Sequence, residues 1–289
     1  MRFKAKIVQD KLLVFAGLIG AIEKIGEACI VHLTESTLHL SVHESGSEGV
    51  DVYAELQQDM LFHEYRIESR AGNEILFEAN ASLLLQALNS GRTAPTCQIK
   101  LAKRAGQPCL SVETRTLEID VVHDIPVKVM PANEASYYRP PEVQMPQVQL
   151  ELPRQRSLRT VIDRMKAIDK FLYVDADMGG QLVFRVEKAD ATIKTFYTNL
   201  TPRFEAMDEE RCRKNRSSVK VDVKKLAAVL SMYSLRFETA ICCMIGGYSL
   251  VLHVILAPNG IGNLTYYVPV MDAGDDLSNA GRGTLMMAE

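Results

Sequence analysis

The chain has 289 residues, of which 47% are hydrophobic and 24% charged, and a formal net charge of -3. That length holds one large domain or two ordinary ones with ample core. So small a net charge excludes a strongly basic nucleic-acid binder as judged by the total, and acidic residues outnumber basic ones only before residue 140.

The opening, MRFKAKIVQDK, has no long apolar run and does not read as a secretory signal. Residues 3–8 alternate and predict a strand. Lys11 to Gly26 carries Leu12, Phe15, Leu18, Ile19, Ile22 and Ile25 at helical spacing. Strands are predicted at 28–33, 37–43, 50–56, 65–68 and 74–79, then a short helix from Ala81 to Ser90 that stops at Gly91. Residues 97–103 and 109–115 form a hairpin around Ala105 and Gly106, and 118–122 lead onward as a strand. His123 to Gln147 carries prolines at 126, 131, 140, 141 and 146. Helix cannot run through such spacing, so this stretch reads as an extended connector.

The pattern then starts again. A strand at 148–152 precedes a helix from Arg154 to Asp169 with Leu158, Val161, Ile162, Met165 and Ile168 on one face. Strands follow at 171–176, 182–187 and 191–198, then a polar, basic insert at 205–218. A strand at 219–221 leads to a helix from Lys224 to Tyr233. The apolar run from Ile241 to Ala257 is broken by Gly246-Gly247 and carries His253, so it predicts a hairpin and not a membrane span. A strand at 263–268 closes the set.

The two halves superpose at a shift of roughly 144 residues, with Pro126 of DIPV falling on Pro269 of YVPV. Each half is then a unit of about 140 residues with long antiparallel sheets on one side and two helices on the other, an α+β fold written twice. The expected boundaries are 1–130, a proline-rich connector at 131–146, 147–271, and a tail at 272–289 whose Gly, Asp and Ser content predicts disorder.

No residue pattern makes a case for an enzyme. Asp175-Ala-Asp177-Met-Gly-Gly180 resembles the start of a calcium loop, but Gly179 and Val186 stand where oxygen ligands belong. His39 and His43 lie about 13 Å apart along a strand, too far to share a metal. His123-Asp124 lacks a nucleophile signature. No metal or cofactor is expected. The six cysteines have no paired ligand spacing and read as reduced, mostly buried thiols. The helices are more informative: Arg156, Arg159, Lys166 and Lys170 lie opposite or beside the apolar stripe of the third helix, Lys224 and Lys225 on the fourth, and Lys11 and Lys24 on the first. If all helices share one side, these cations line a surface that neutralises phosphates without reading bases.

The opening MRFKAKIV, the HDIPVKVMP at the connector and the YYVPV near the end closely resemble the Hus-type subunit of the heterotrimeric DNA-damage checkpoint clamp, within the eukaryotic DNA sliding clamps. The resemblance covers residues 1–271. It implies two tandem sliding-clamp domains, sheets outside and helices inside, in a non-catalytic ring subunit. Such a ring would encircle double-stranded DNA with two paralogous subunits, be placed by a clamp loader, and serve checkpoint signalling and repair enzymes in the nucleus, with some chain in the cytoplasm. The alternatives are a homotrimeric replication clamp, whose YYLAP ending is similar, and a clamp-fold scaffold that never encircles DNA. The resemblance further implies ring closure through edge strands, here assigned to Cys109, Leu110 and Val112 on one side and Thr192, Lys194 and Phe196 on the other. It also implies a partner-docking groove at Val42, Ile125, Val127, Tyr267 and Pro269.

Overall fold

The computed structural model describes residues 1–44, 49–116, 119–154, 157–188, 190–204, 212, 214–245, 249–258 and 260–271. Arg156, the Gly246-Gly247 turn, most of the 205–218 insert and the 272–289 tail lie outside the described residues. The chain divides into two compact units. The first comprises Met1–Glu142, Ala228–Ala240 and Leu252–Tyr267; the second comprises Val143–Ala227, Ile241–Val251 and the described residues from Val268.

The first half runs β1 Arg2–Val8, α1 Gln9–Glu23, β2 Ala28–Leu33, β3 Thr37–His43, β4 Asp51–Gln57, α2 Gln58–Leu61, β5 Glu64–Glu68, β6 Ile75–Asn80, α3 Ala81–Ser90, β7 Thr96–Arg104, β8 Gln107–Arg115 and β9 Asp120–Met130. The second runs β10 Val148–Glu151, α4 Ser157–Lys166, β11 Phe171–Asp177, β12 Gln181–Lys188, β13 Ala191–Tyr197, β14 Arg216–Asp222, α5 Val223–Val229, β15 Phe237–Ile245, β16 Ser249–Leu256 and β17 Gly262–Pro269. The order of elements repeats, and so does the order of strands. The run β4-β3-β2-β6 of the first half reappears as the four-stranded sheet β13-β12-β11-β14 of the second.

In the first unit the strand order is β5-β1-β7-β8-β9-β6-β2-β3-β4-β17. Period-2 burial drives it: Phe3, Ala5 and Ile7 of β1 point inward while their neighbours face out. α1 buries Leu12, Phe15, Leu18, Ile19 and Ile22, each worth about 1.5–3 kcal/mol. It packs on α3, with Leu85 beside Gly20. α3 starts at the side chain of Asn80, which accepts from the Leu83 amide at 3.0 Å. The β7–β8 turn has positive φ at Ala105 and Gly106, the type I′ geometry that matches strand twist. β17 pairs antiparallel with β4 from Gly262↔Leu56 to Tyr267↔Asp51. Gly262 is required there: a Cβ would stand 2.0 Å from the Glu55 carbonyl oxygen.

Four expectations change. The stretch after His123 begins as strand: β9 continues through Pro126, pairing with β8 up to Pro126↔Cys109 and with β6 from Val127. Alternation carries on across the proline, with Ile125 and Val127 both buried; its missing N–H falls where β9 changes partner. The connector's next part, Ala132–Tyr138, is a 3₁₀ turn and not extended. It packs Ala135, with Met130 and Tyr138, onto Ile30 and Leu76. In the second half α4 ends at Lys166, and the predicted fourth helix divides into α5 and a 3₁₀ turn at Leu230–Ser234.

Candidate nucleic-acid and partner interfaces

The exposed helix faces differ sharply in charge. On α1 the outward residues include Gln9, Asp10 and Leu13, and on α3 Leu83, Gln86 and Asn89. Lys11 is half-buried, and Lys24, just past the end of α1, pairs with Glu23 at 3.0 Å. Arg92 and Arg236, the latter absent from the predicted set, line one cleft along α1 together with Asp10, Leu13 and Gly17. α4 exposes Arg159, Arg164 and Lys166, with Arg159 3.8 Å from Asp163 one turn on. Lys224 of α5 is exposed and Lys225 half-buried, and Asp222 accepts from the Lys224 amide at 2.7 Å. Lys170 does not belong to this face. It follows the end of α4, and its ammonium lies 4.8 Å from the Phe171 ring, which Lys220 of β14 also approaches.

The strand edges also correct the sequence reading. β8 is paired along its whole length with β7 and, from Cys109, with β9. Its backbone groups are spent, and Cys109, Leu110 and Val112 are buried; they cannot receive another chain. Several other strands keep a free side among the described residues. β5, β10 and β14 end their sheets, β10 with only a bridge to Pro202 on its outer side. Part of β9 and all of β13 are free as well, in places equivalent to a pairing already made inside the chain. β9 pairs with β8 over Asp120–Pro126, while β6 reaches only from Val127 onward, and Val122 is 51% exposed. β13 pairs only with β12; Thr192 and Lys194 are exposed and Phe196 is 58% exposed. An unpaired edge of this kind is a template for a further strand.

The predicted groove residues divide by burial. Val42, Ile125 and Val127 are core side chains with at most 8% exposure, so they offer no surface. Tyr267 and Pro269 are half-buried. In the first unit Tyr267 meets Tyr53 edge-on at 5.6 Å, Tyr53 meets His43 at 5.4 Å, and His43 meets Tyr138 of the 3₁₀ turn at 5.9 Å. His43 Nδ1 also bonds Asp51 at 3.0 Å. Burial, with Asp51 and Tyr267 nearby, pushes the Tyr53 hydroxyl up to about 12. This aromatic chain was legible in principle: alternation turns Val42 inward and therefore His43 outward.

The comparisons agree with this architecture. The family model described as Hus1-like protein matches residues 1–272. The chain belongs to the Hus1-like family. It is 32% identical to the checkpoint protein hus1 homolog of Dictyostelium discoideum, over 94% of this chain and 99% of that one. It is 28% identical to checkpoint protein HUS1 of Homo sapiens, over 94% and 100%. Among solved structures it resembles the proliferating cell nuclear antigens of Thermococcus kodakaraensis (TM-score 0.68, 18% identity, covering 93% of this chain and 100% of that one) and Entamoeba histolytica (TM-score 0.72, 12% identity, covering 93% and 98%). The fold is that of two tandem sliding-clamp domains, and the chain is a subunit of the checkpoint clamp type.

Hus1-like subunits and proteins of the clamp fold are non-catalytic scaffolds, and the suspect side chains have structural employment here. His123 Nε2 bonds the Ser90 hydroxyl at 2.9 Å, but Asp124 pairs with Arg104 at 2.8 Å and does not orient the imidazole. Asp175 holds Arg185 at 3.0 Å, and Asp177 accepts from the Gly179 amide in a turn. All six cysteines are free thiols, four of them buried, and burial pushes Cys29 and Cys97 up to about 12. Among the described residues no helix is long and apolar enough to cross a membrane.

Proposed function

We propose that the chain is one of three unlike subunits of a ring that closes around double-stranded DNA at damage sites. The observation that carries this reading is that, of the free edges, those on β9 and β13 are the ones the repeat matches to a pairing already present in the chain. Within the repeat, β17 and β4 are the counterparts of β9 and β13, and β17 already pairs with β4 inside the chain. Repeating that pairing between chains, β9 of one subunit to β13 of the next, closes a ring through strand addition. Arg159, Lys166 and Lys224, joined by Arg92 and Arg236, would face the duplex and neutralise phosphates. A clamp loader would place the ring, its outer faces would receive checkpoint and repair proteins, and the chain would work chiefly in the nucleus. The sparse charge on α1 and α3 favours unlike subunits, each lining its own share of the hole.

Mass by light scattering tests this on the full chain, alone and co-expressed with the two other checkpoint clamp subunits. The expected result is a monomer alone and a one-to-one-to-one trimer in company. A trimer of this chain alone would indicate the homotrimeric replication type, and a monomer in both samples would remove the ring.

A further inference from the structure

Thr201-Pro202 is the only place in the chain where a proline follows a serine or threonine. It lies just past β13, and its backbone is clipped to the outer side of β10. The Glu151 amide donates to the Thr201 carbonyl at 2.9 Å, the Arg203 amide donates to the Gln149 carbonyl at 3.0 Å, and Pro202 bridges antiparallel to Leu150. Leu150 and Pro202 are the non-hydrogen-bonded pair between those two bonds, so the missing N–H of the proline costs the clip nothing. The same register sets Thr201 directly opposite Glu151. Leu150 points into the core at 1% exposure, so alternation turns Glu151, Thr201 and Arg203 to the other face together. There Arg203 pairs with the Glu151 carboxylate, and Thr201 is exposed.

The proline holds Thr201 in the extended form in which a kinase cleft takes its substrate. Two backbone hydrogen bonds and one ion pair hold the clip, so opening it locally is cheap. We propose that Thr201 is a modification site for a proline-directed protein kinase, and that its phosphate unclips residues 201–203 from β10. In the transfer, Thr201 Oγ1 bonds the γ-phosphorus of ATP, the bond from that phosphorus to the bridging oxygen breaks, ADP leaves, and the hydroxyl proton passes to the base of the kinase. The product carries close to two negative charges at neutral pH, directly across from the Glu151 carboxylate. Like charges so placed repel, and Arg203 then has two anions to serve in place of one. β10 keeps its pairing with β15. Its outer side, covered here by the clip alone, becomes an edge open to another strand.

The full chain incubated with ATP and a mitogen-activated protein kinase, beside a synthetic peptide of residues 197–204, tests this. Peptide mass spectrometry should find the phosphate on Thr201 of the folded chain, and Thr201→Val should remove it. Hydrogen exchange at the Glu151 and Arg203 amides should then quicken about tenfold, while β11 and β12 keep their protection. A folded chain untouched at Thr201 would overturn the site, whether or not the peptide is phosphorylated. Phosphate on Thr201 with both amides exchanging as before would overturn the unclipping.

Discussion

His39 sits at the centre of a polar cluster on the first unit's sheet. Its ring stacks on His32 of the neighbouring strand at 5.6 Å, and its Nε2 meets the Thr37 hydroxyl at 2.8 Å. Burial holds its imidazole below the ordinary 6.5; Glu55 on β4 opposes this, His32 and Arg139 reinforce it, and Glu74 opposes it. The unfolded chain therefore binds more protons than the folded one near that pH, so stability is complete above about 6.5 and falls as acid is added. Urea unfolding at pH 7.5 and 5.5 should show this loss, and His39→Gln should make the difference between the two smaller. An equal difference in both proteins would place the acid sensitivity elsewhere. Spacing along β3 was enough to separate His39 from His43 as metal partners. It said nothing of His32, because a cross-strand neighbour depends on register, which a single strand's sequence does not carry.

Among the elements, β8 and β9 show where sequence reading loses its grip. Both are apolar alternating runs, and the hairpin at Ala105-Gly106 was legible from its turn residues. Which strand ends up outermost was not: that depends on β9 changing partners at Pro126, a long-range event. The proline-rich composition also concealed the 3₁₀ turn, whose Ala135 and Tyr138 are held by Leu76 and Ile30, roughly 60 and 105 positions earlier. The edge assignment is open to a direct test. Val122→Pro on β9 should abolish joining to the neighbouring subunit, because the ring fills the place of an N–H that a new strand would need. Ser111→Ala on the internal β8 should leave joining intact. Size-exclusion of the co-expressed subunits reads both, and normal joining by Val122→Pro would return the interface to some other surface. Helix ends were legible only where a residue type punctuates them, as Gly91 does after α3; α4 has no such stop, and the apolar spacing carried it past Lys166 to Asp169.

For the molecule as a whole, the duplication and the fold class were readable from the repeated order of apolar runs, and the family from three short motifs. The distribution of charge has a measurable consequence for a ring on DNA. Replacing Arg159 and Lys224 by Glu in the assembled trimer should make the dependence of log affinity on log salt shallower by roughly two units. An unchanged slope would remove these two residues from the DNA path. The pairing of β17 with β4 has a consequence of another kind. These strands lie roughly 200 residues apart, and a ribosome adding about 5–20 residues per second needs on the order of 10–40 seconds to make the second after the first. Throughout that interval β4 presents an open hydrogen-bonding edge inside the cell. The nascent chain is thus exposed to mispairing until β17 emerges, and a side chain at Gly262, which would collide with the Glu55 carbonyl of β4, should leave that edge open for good and lower the yield of soluble protein.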